Sequence, residues 1–456
     1  MHIDFIGAAQ TVTGSKHLIR TKHASVLLDC GMFQGRRKES VKNNKNLAVD
    51  VHAIDAVVLS HAHIDHSGAL PLLVKQGYEG PIFTTPATRD LCAVMLEDAA
   101  MIQAADARYI NKAIAKDRAD MEPVEPLYDH DDVIRLLEQM IAVPYHRKHT
   151  IANGVRISFH DAGHVLGSAV TALDIEEDGK TKRVVFTGDL GREKMPILRD
   201  PELVENAHAL ITESTYGNRL HKPIAAMEDD LAAVLKRTYE RGGKVIIPSF
   251  ALERAQEILY SIRALRKEGR MPPMPVYVDS PLTVKITDIF RLHPDCYDAE
   301  TRALIQGNDS PFEFEQLHYV SDKEESKAID ASDEPAVIIS ASGMCEAGRV
   351  VHHLKATIES EKNTVCIVGF QAAHTLGRRI VERRPRVRIF GVERDLRAEV
   401  AVLNGFSAHA DQKDLVAYAK ALEARGPLGR VALVHGEPDA QASLKAKLRE
   451  HGIDDV

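Results

Sequence analysis

Short apolar, β-branched runs recur along this chain, and each stops at a polar residue. Residues 24–28 run into Asp29, 56–59 into Ser60, 184–186 into Thr187, 209–211 into Thr212 and 431–434 into His435. Apolar runs of this length predict buried strands, each delivering a polar loop to one rim of a sheet. Helical spacing fills the intervals, over 69–76, 88–115, 225–241 and 252–267. The alternation predicts an α/β fold.

A second series opens near Asn218, with strands expected at 244–247, 275–278, 336–339 and 364–368. It is long enough to bury a core of its own, and 456 residues exceed the usual reach of one core. Three stretches are therefore expected: a first domain over 1–216, an inserted domain over 217–394, and a return to the first over 395–456.

Composition narrows the class. With 44% hydrophobic and 27% charged residues the chain reads as soluble and globular. No apolar run is long enough to span a bilayer, and Met1-His2-Ile3-Asp4-Phe5 lacks a basic then apolar leader, so the expected location is the cytoplasm, without a membrane partner. Cys30, Cys92, Cys296, Cys345 and Cys366 are odd in number and scattered, which implies neither a disulfide framework nor a thiolate zinc site. A net charge of -8 argues against a general nucleic-acid coat. It leaves room for a nuclease whose positive charge is local.

The chemistry concentrates where the strands end. His61-Ala62-His63-Ile64-Asp65-His66 packs four metal-type side chains into six residues after a buried run. Two histidines two apart face one side of an extended segment, and the Asp-His pair that follows turns toward a second ion about 3.5–4 Å away. Imidazole with carboxylate suits zinc, with manganese or iron as alternatives. Three further loops offer His164 between Gly163 and Gly167, Asp189 in Thr187-Gly188-Asp189, and His435 before Gly436. Each alone reads as an ordinary turn. Together with the opening cluster they complete a shell. Asp29 is open between a simple turn residue and an outer role holding a ligand.

These residues carry a resemblance. HAHIDHSG at 61–68, Gly163-His164, TGDLG at 187–191 and the strand-end Asp29 resemble the signature of the metallo-β-lactamase superfamily. Glu213-Ser214-Thr215, Phe406-Ser407-Ala408-His409 and Val434-His435-Gly436 resemble three further motifs of its β-CASP branch, which holds nucleic-acid nucleases. Ser249-Phe250-Ala251-Leu252, Asp279-Ser280-Pro281-Leu282 and 340–348 are similar to segments of that branch's inserted domain. The chain resembles the short bacterial relatives of the eukaryotic pre-mRNA 3′-end endonuclease.

The resemblance implies an αββα metallo-β-lactamase sandwich carrying an inserted β-CASP α/β domain that covers it like a lid, with RNA bound in the groove between. It implies that His61, His63 and His164 bind one zinc, that Asp65, His66 and His435 bind the other, and that Asp189 and a hydroxide bridge them. Attack on an RNA phosphodiester would leave 5′-phosphate and 3′-hydroxyl ends. The resemblance assigns the leaving-group proton to His409, oriented by Glu213, so that Asp65, Asp189, Glu213 and His409 form the catalytic set. Ser407, with His409, is a candidate phosphate contact. A histidine at 435 favours RNA over DNA in this branch.

One segment departs from the pattern: in Gly369-Phe370-Gln371-Ala372-Ala373-His374-Thr375-Leu376, Ala-His stands where relatives often have Glu-Gly before the threonine. The basic run Arg378, Arg379, Arg383, Arg384, Arg386 and Arg388 reads as a solvated face or as a phosphate guide. Two competing functions stay open, a hydrolase of a small ester, thioester or lactam and a non-catalytic RNA-binding subunit. Endonuclease or exonuclease action and monomer or homodimer are also open at this point.

Overall fold

The computed structural model describes residues 1–35, 42–117, 123–221, 223–369, 371–372, 374–403 and 405–456. They divide into two units: Met1–Glu193 with Asp200–Leu220 and His409–Val456, and Lys194–Arg199 with His221–Ala408.

Among the described residues the first unit contains two six-stranded sheets. One has the order β1 (His2–Gly7), β2 (Lys16–Arg20), β3 (Ser25–Leu28), β4 (Ala56–Val58), β5 (Ile82–Thr84), β6 (Met140–Ala142). The other has the order β20 (Arg430–Val434), β11 (Ala209–Glu213), β10 (Lys180–Phe186), β9 (Ala169–Glu177), β8 (Val155–Asp161), β7 (His149–Ala152). Each begins as an antiparallel meander and continues with parallel strands.

Side-chain alternation explains why both sheets are covered on both faces. Val184 and Phe186 of β10 join Val26, Leu28, Val58 and Phe159 in a core shared by the two sheets. Val185, between them, faces the other way. It packs with Leu210 against Leu415, Leu422 and Leu444 of the C-terminal helices Gln412–Glu423 and Pro438–Glu450. Each such fully buried aliphatic or aromatic side chain contributes roughly 1.5–3 kcal/mol. The layers are those of an αββα sandwich. Helix Gln412–Glu423 starts at a capping box in which the side chains of Asp411 and Asp414 accept from each other's backbone amides, which fixes the chain just after His409.

The second unit is built on a parallel sheet of order β14 (Leu317–Val320), β13 (Val276–Asp279), β15 (Val337–Ser340), β12 (Val245–Pro248), β16 (Thr364–Ile367), β19 (Glu399–Val402). Ile246, Ile338 and Val365 enter one core, and Val245, Ile247, Val337 and Ile339 the opposite one, as expected of strands buried on both faces. Because β19 pairs with β16, this unit continues to Ala408, past the boundary near 394 expected from sequence.

The basic run is largely matched by acids. Arg378 and Arg384 flank Glu382, while Arg386 pairs with Asp395 at 3.2 Å across the hairpin β17 (Arg386–Ile389) and β18 (Val392–Asp395). This favours the solvated-face reading. In the departing segment, Phe370 and Ala373 lie outside the described residues, and Thr375 caps the helix Leu376–Val381. Among the described residues no helix is long and apolar enough to cross a membrane.

Candidate metal centre

Strands of both sheets of the first unit bring its polar side chains together. Beyond β4 the chain runs through Ser60, His61 and His63, then makes one helical turn, Ile64–Ser67, that presents Asp65 and His66. This turn is gripped through its backbone: Ser15 N donates to Asp65 O at 2.8 Å, Cys30 N to His66 O at 2.8 Å and Met32 N to Ile64 O at 2.9 Å. A Cβ on Gly31 would lie 1.5 Å from Asp65 O, so only glycine permits the approach. The loops after β8, β10 and β20 bring in His164, Asp189 and His435.

All seven metal-type residues anticipated from the sequence converge. The ligand atoms of His61, His63, His164 and Asp189 lie within 4.8 Å of one another, and so do those of Asp65, His66 and His435. In the first group His63 Nδ1 is 3.1 Å from His61 Nε2 and 3.3 Å from His164 Nε2. Asp189 Oδ2 is 3.6 Å from both His61 Nε2 and His164 Nε2. In the second, His435 Nε2 is 3.3 Å from His66 Nε2 and 3.5 Å from Asp65 Oδ2. Asp189 reaches this group as well, with Oδ2 at 3.4 Å from His66 Nε2 and Oδ1 at 3.2 Å from His435 Nδ1.

The spacings suit shared cations. Four ligands about 2.0–2.1 Å from a tetrahedral zinc stand about 3.3 Å apart. Hydrogen bonds explain the cluster poorly, because a neutral imidazole has only one N–H to give. Asp189 Oδ1 is buried and has no hydrogen-bond partner among the described residues. Such an atom needs a cation or a donor.

Protonation states in the first group point the same way. At His66, by contrast, burial is outweighed by Asp189 and Asp29, which raise the imidazole well above its usual range, so that ring must give up a proton to bind a cation. Burial lowers His61 and His164 well below the usual imidazole range and brings His63 to about 4, so all three offer lone pairs at neutral pH. Burial disfavours the Asp189 carboxylate, but the His435 and His66 imidazoles outweigh it and hold Asp189 well below the carboxylate range.

Outer contacts orient the rings. Asp29, fully buried at φ 56, lies 2.7 Å from His66 Nδ1, turning Nε2 toward the cluster. It also accepts from Ser60 N at 2.8 Å and Ser60 Oγ at 3.0 Å, and Ser60 Oγ lies 3.0 Å from His61 Nδ1. One carboxylate thus orients two rings, one directly and one through a hydroxyl. Thr215 Oγ1 sits 3.2 Å from His435 Nδ1. Ser60 and Thr215 are absent from the expected set. Ser60 directly precedes His61 in the chain, and only the fold shows that its hydroxyl turns back to Asp29.

Glu213 closes β11 fully buried. Both its carboxylate oxygens are 3.1 Å from His409 Nδ1, and Oε1 accepts from Leu190 N at 2.6 Å. His409 forms a bridge with Gly191 and lies 3.9 Å from Asp189 Oδ2. Burial alone would lower this imidazole, but Glu213 outweighs burial, with Asp189 and Asp65 adding, and raises it to about 9. Ser407 belongs to the other unit.

Three family profiles cover the chain: a metallo-beta-lactamase superfamily domain over 18–215, a Beta-Casp domain over 255–380 and a Zn-dependent metallo-hydrolase RNA specificity domain over 393–455. A protein named Ribonuclease TTHA0252, from Thermus thermophilus, is 36% identical over 99% of this chain and 97% of its own length. The chain belongs to the β-CASP branch of the metallo-β-lactamase superfamily. A β-CASP relative named Transcription termination factor FttA, from Methanosarcina mazei, is 34% identical over 98% of this chain and 69% of its length. A crystal structure of a protein of unknown function from Enterococcus faecalis shares the fold at TM-score 0.52 and 13% identity, covering 96% of this chain and 95% of that one. As a β-CASP protein the chain is a metal-dependent hydrolase, and the convergent histidines and aspartates are its candidate metal ligands.

Proposed function

We propose that this protein is a zinc-dependent ribonuclease that cuts RNA internally and leaves 5′-phosphate and 3′-hydroxyl ends. The observation that carries this reading is the Glu213–His409 pair standing 3.9 Å from Asp189, the carboxylate common to two ligand groups. His61, His63 and His164 would hold one zinc, and Asp65, His66 and His435 the other, with Asp189 between. When bound, the metal pair supplies an acidified water and positive charge facing the phosphodiester.

The chain's own residues supply the rest. Departure of the 3′ oxygen requires a proton, and His409 is held in its charged form by Glu213. With Nδ1 directed at Glu213, Nε2 is the nitrogen that would donate. The Leu190 amide fixes the Glu213 carboxylate, so the imidazole keeps its orientation. A small ester or lactam is neutral and has less use than an anionic phosphodiester for the positive charge gathered here. The ribonuclease name of the Thermus relative, its match over nearly the whole chain and the RNA specificity domain support RNA as substrate.

The test is incubation of purified protein with RNA labelled at either end, with and without chelator. Internal fragments that disappear on chelation are expected. Released mononucleotides would replace endonuclease with exonuclease action, and cleavage insensitive to chelator would overturn the metal reading. Light scattering of the same preparation distinguishes a monomer from the homodimer that the sequence leaves open.

A further inference from the structure

We propose that His146, His160 and Glu202 form a third divalent-metal site, apart from the seven residues above and suited to zinc with an open coordination position. The three belong to the first unit and come from separate segments: the turn after β6, strand β8 and the stretch before β11. Their ligand atoms lie within 4.8 Å of one another. Glu202 Oε2 is 2.7 Å from His146 Nε2 and 3.8 Å from His160 Nδ1, distances on either side of the about 3.3 Å that tetrahedral zinc imposes on its ligands. The two rings stand edge to face with centroids 5.5 Å apart, so both can direct a nitrogen at the same carboxylate.

Outer contacts resemble those of a built site. Ser158 Oγ, 3.2 Å from His160 Nε2, leaves Nδ1 to face Glu202. Glu202 Oε2 accepts from Asp161 N at 3.0 Å, and Glu202 N donates to Asp161 O at 2.8 Å, fixing the carboxylate to the end of β8. Ligands held this way by neighbouring polar groups are typical of metal centres. His146 takes φ 63, a left-handed conformation that costs a non-glycine residue about 1–3 kcal/mol and persists only where surroundings enforce it. Two imidazoles and one carboxylate match the protein ligands of open zinc sites, in which water or a solute takes the fourth position. The site is half-exposed, so that position faces solvent.

The test is a count of bound zinc. The full chain is stripped with chelator, dialysed against graded free zinc, and assayed by elemental analysis beside His146→Ala and His146→Gln. Each variant is expected to bind one zinc equivalent fewer than the parent at saturation, and cobalt titration of the parent should show a visible absorption component missing from both. Equal zinc numbers in parent and variants would overturn the proposal and leave the cluster a simple ion pair. Failure of the dinuclear reading is distinguishable, since it lowers the total without removing the difference. The more conservative glutamine variant, with circular dichroism as check, covers a folding defect in the alanine variant.

Discussion

Asp29 Oδ2 lies 2.7 Å from His66 Nδ1 while its other oxygen accepts from the Ser60 amide, so one buried carboxylate fixes both a ligand ring and the loop that carries His61. These contacts support the outer role over that of a simple turn residue. Asp29→Asn keeps the left-handed turn, which asparagine tolerates, but loses the charge behind His66. It should weaken metal binding by about 10–100-fold, read by competition with a chelating dye. Unchanged affinity would return Asp29 to the role of turn residue.

Removing the acid should separate metal binding from turnover. His409→Ala is expected to keep its metal complement and to slow RNA cleavage by about 10²–10⁴. Glu213→Gln acts through the same imidazole, so the double variant should be scarcely slower than the slower single one. Additive losses in single-turnover cleavage would mean that Glu213 acts independently of His409.

The strands and the site were legible to different depths. Residues such as Val184 and Val431 lie in strands buried on both faces, and their apolar character survives in any reading of the chain. The candidate ligands could be found because each sits in the loop or turn that follows a strand, as His435 follows Val434. Ser60, Thr215 and the Leu190 amide were not legible, since a hydroxyl or an amide gains a partner only when distant segments meet. The cluster of His146, His160 and Glu202 was hidden for the same reason: it follows no shared strand-end pattern. The boundary near Ala408 was obscured because β19 looks like any other buried run, and only its pairing with β16 assigns it to the second unit.

The second unit should have its own pH window of stability. His353, fully buried, contacts Asp279 at 2.8 Å and Asp330 at 2.7 Å, and Arg349 also pairs with Asp279. Burial lowers His353, but Asp279 and Asp330 outweigh it and raise the imidazole above its ordinary value. That stabilisation is full below the unfolded value of about 6.5 and is lost as pH rises through the higher folded value. Asp279 is disfavoured by burial yet lowered by His353, Ser326 and Arg349, so its share is full above the unfolded value of about 3.9 and is lost as pH falls through the lower folded value. Denaturant unfolding of the wild type should show this contribution greatest between those two values. His353→Gln should flatten the alkaline limb, while Asp279→Ala, which strands a buried cation, should cost roughly 3–5 kcal/mol.

Gly31→Ala tests whether the metal centre depends on the backbone contact beneath it. The new Cβ would fall 1.5 Å from Asp65 O and 2.7 Å from His66 N, atoms of the turn that presents two ligands, and backbone cannot swing aside as a side chain does. Gly429→Ala is the matched control in the same unit, because its Cβ would meet only His208 O, at 3.7 Å. Overpacking of this kind costs about 1–3 kcal/mol or more, and here the displacement falls on Asp65 and His66. The expected result is a Gly31→Ala protein that melts earlier and loses metal from the Asp65, His66 and His435 group, beside a control that does neither. A lowered melting temperature with full metal content would show that the turn can shift without moving its side chains, and would detach the ligand geometry from the glycine.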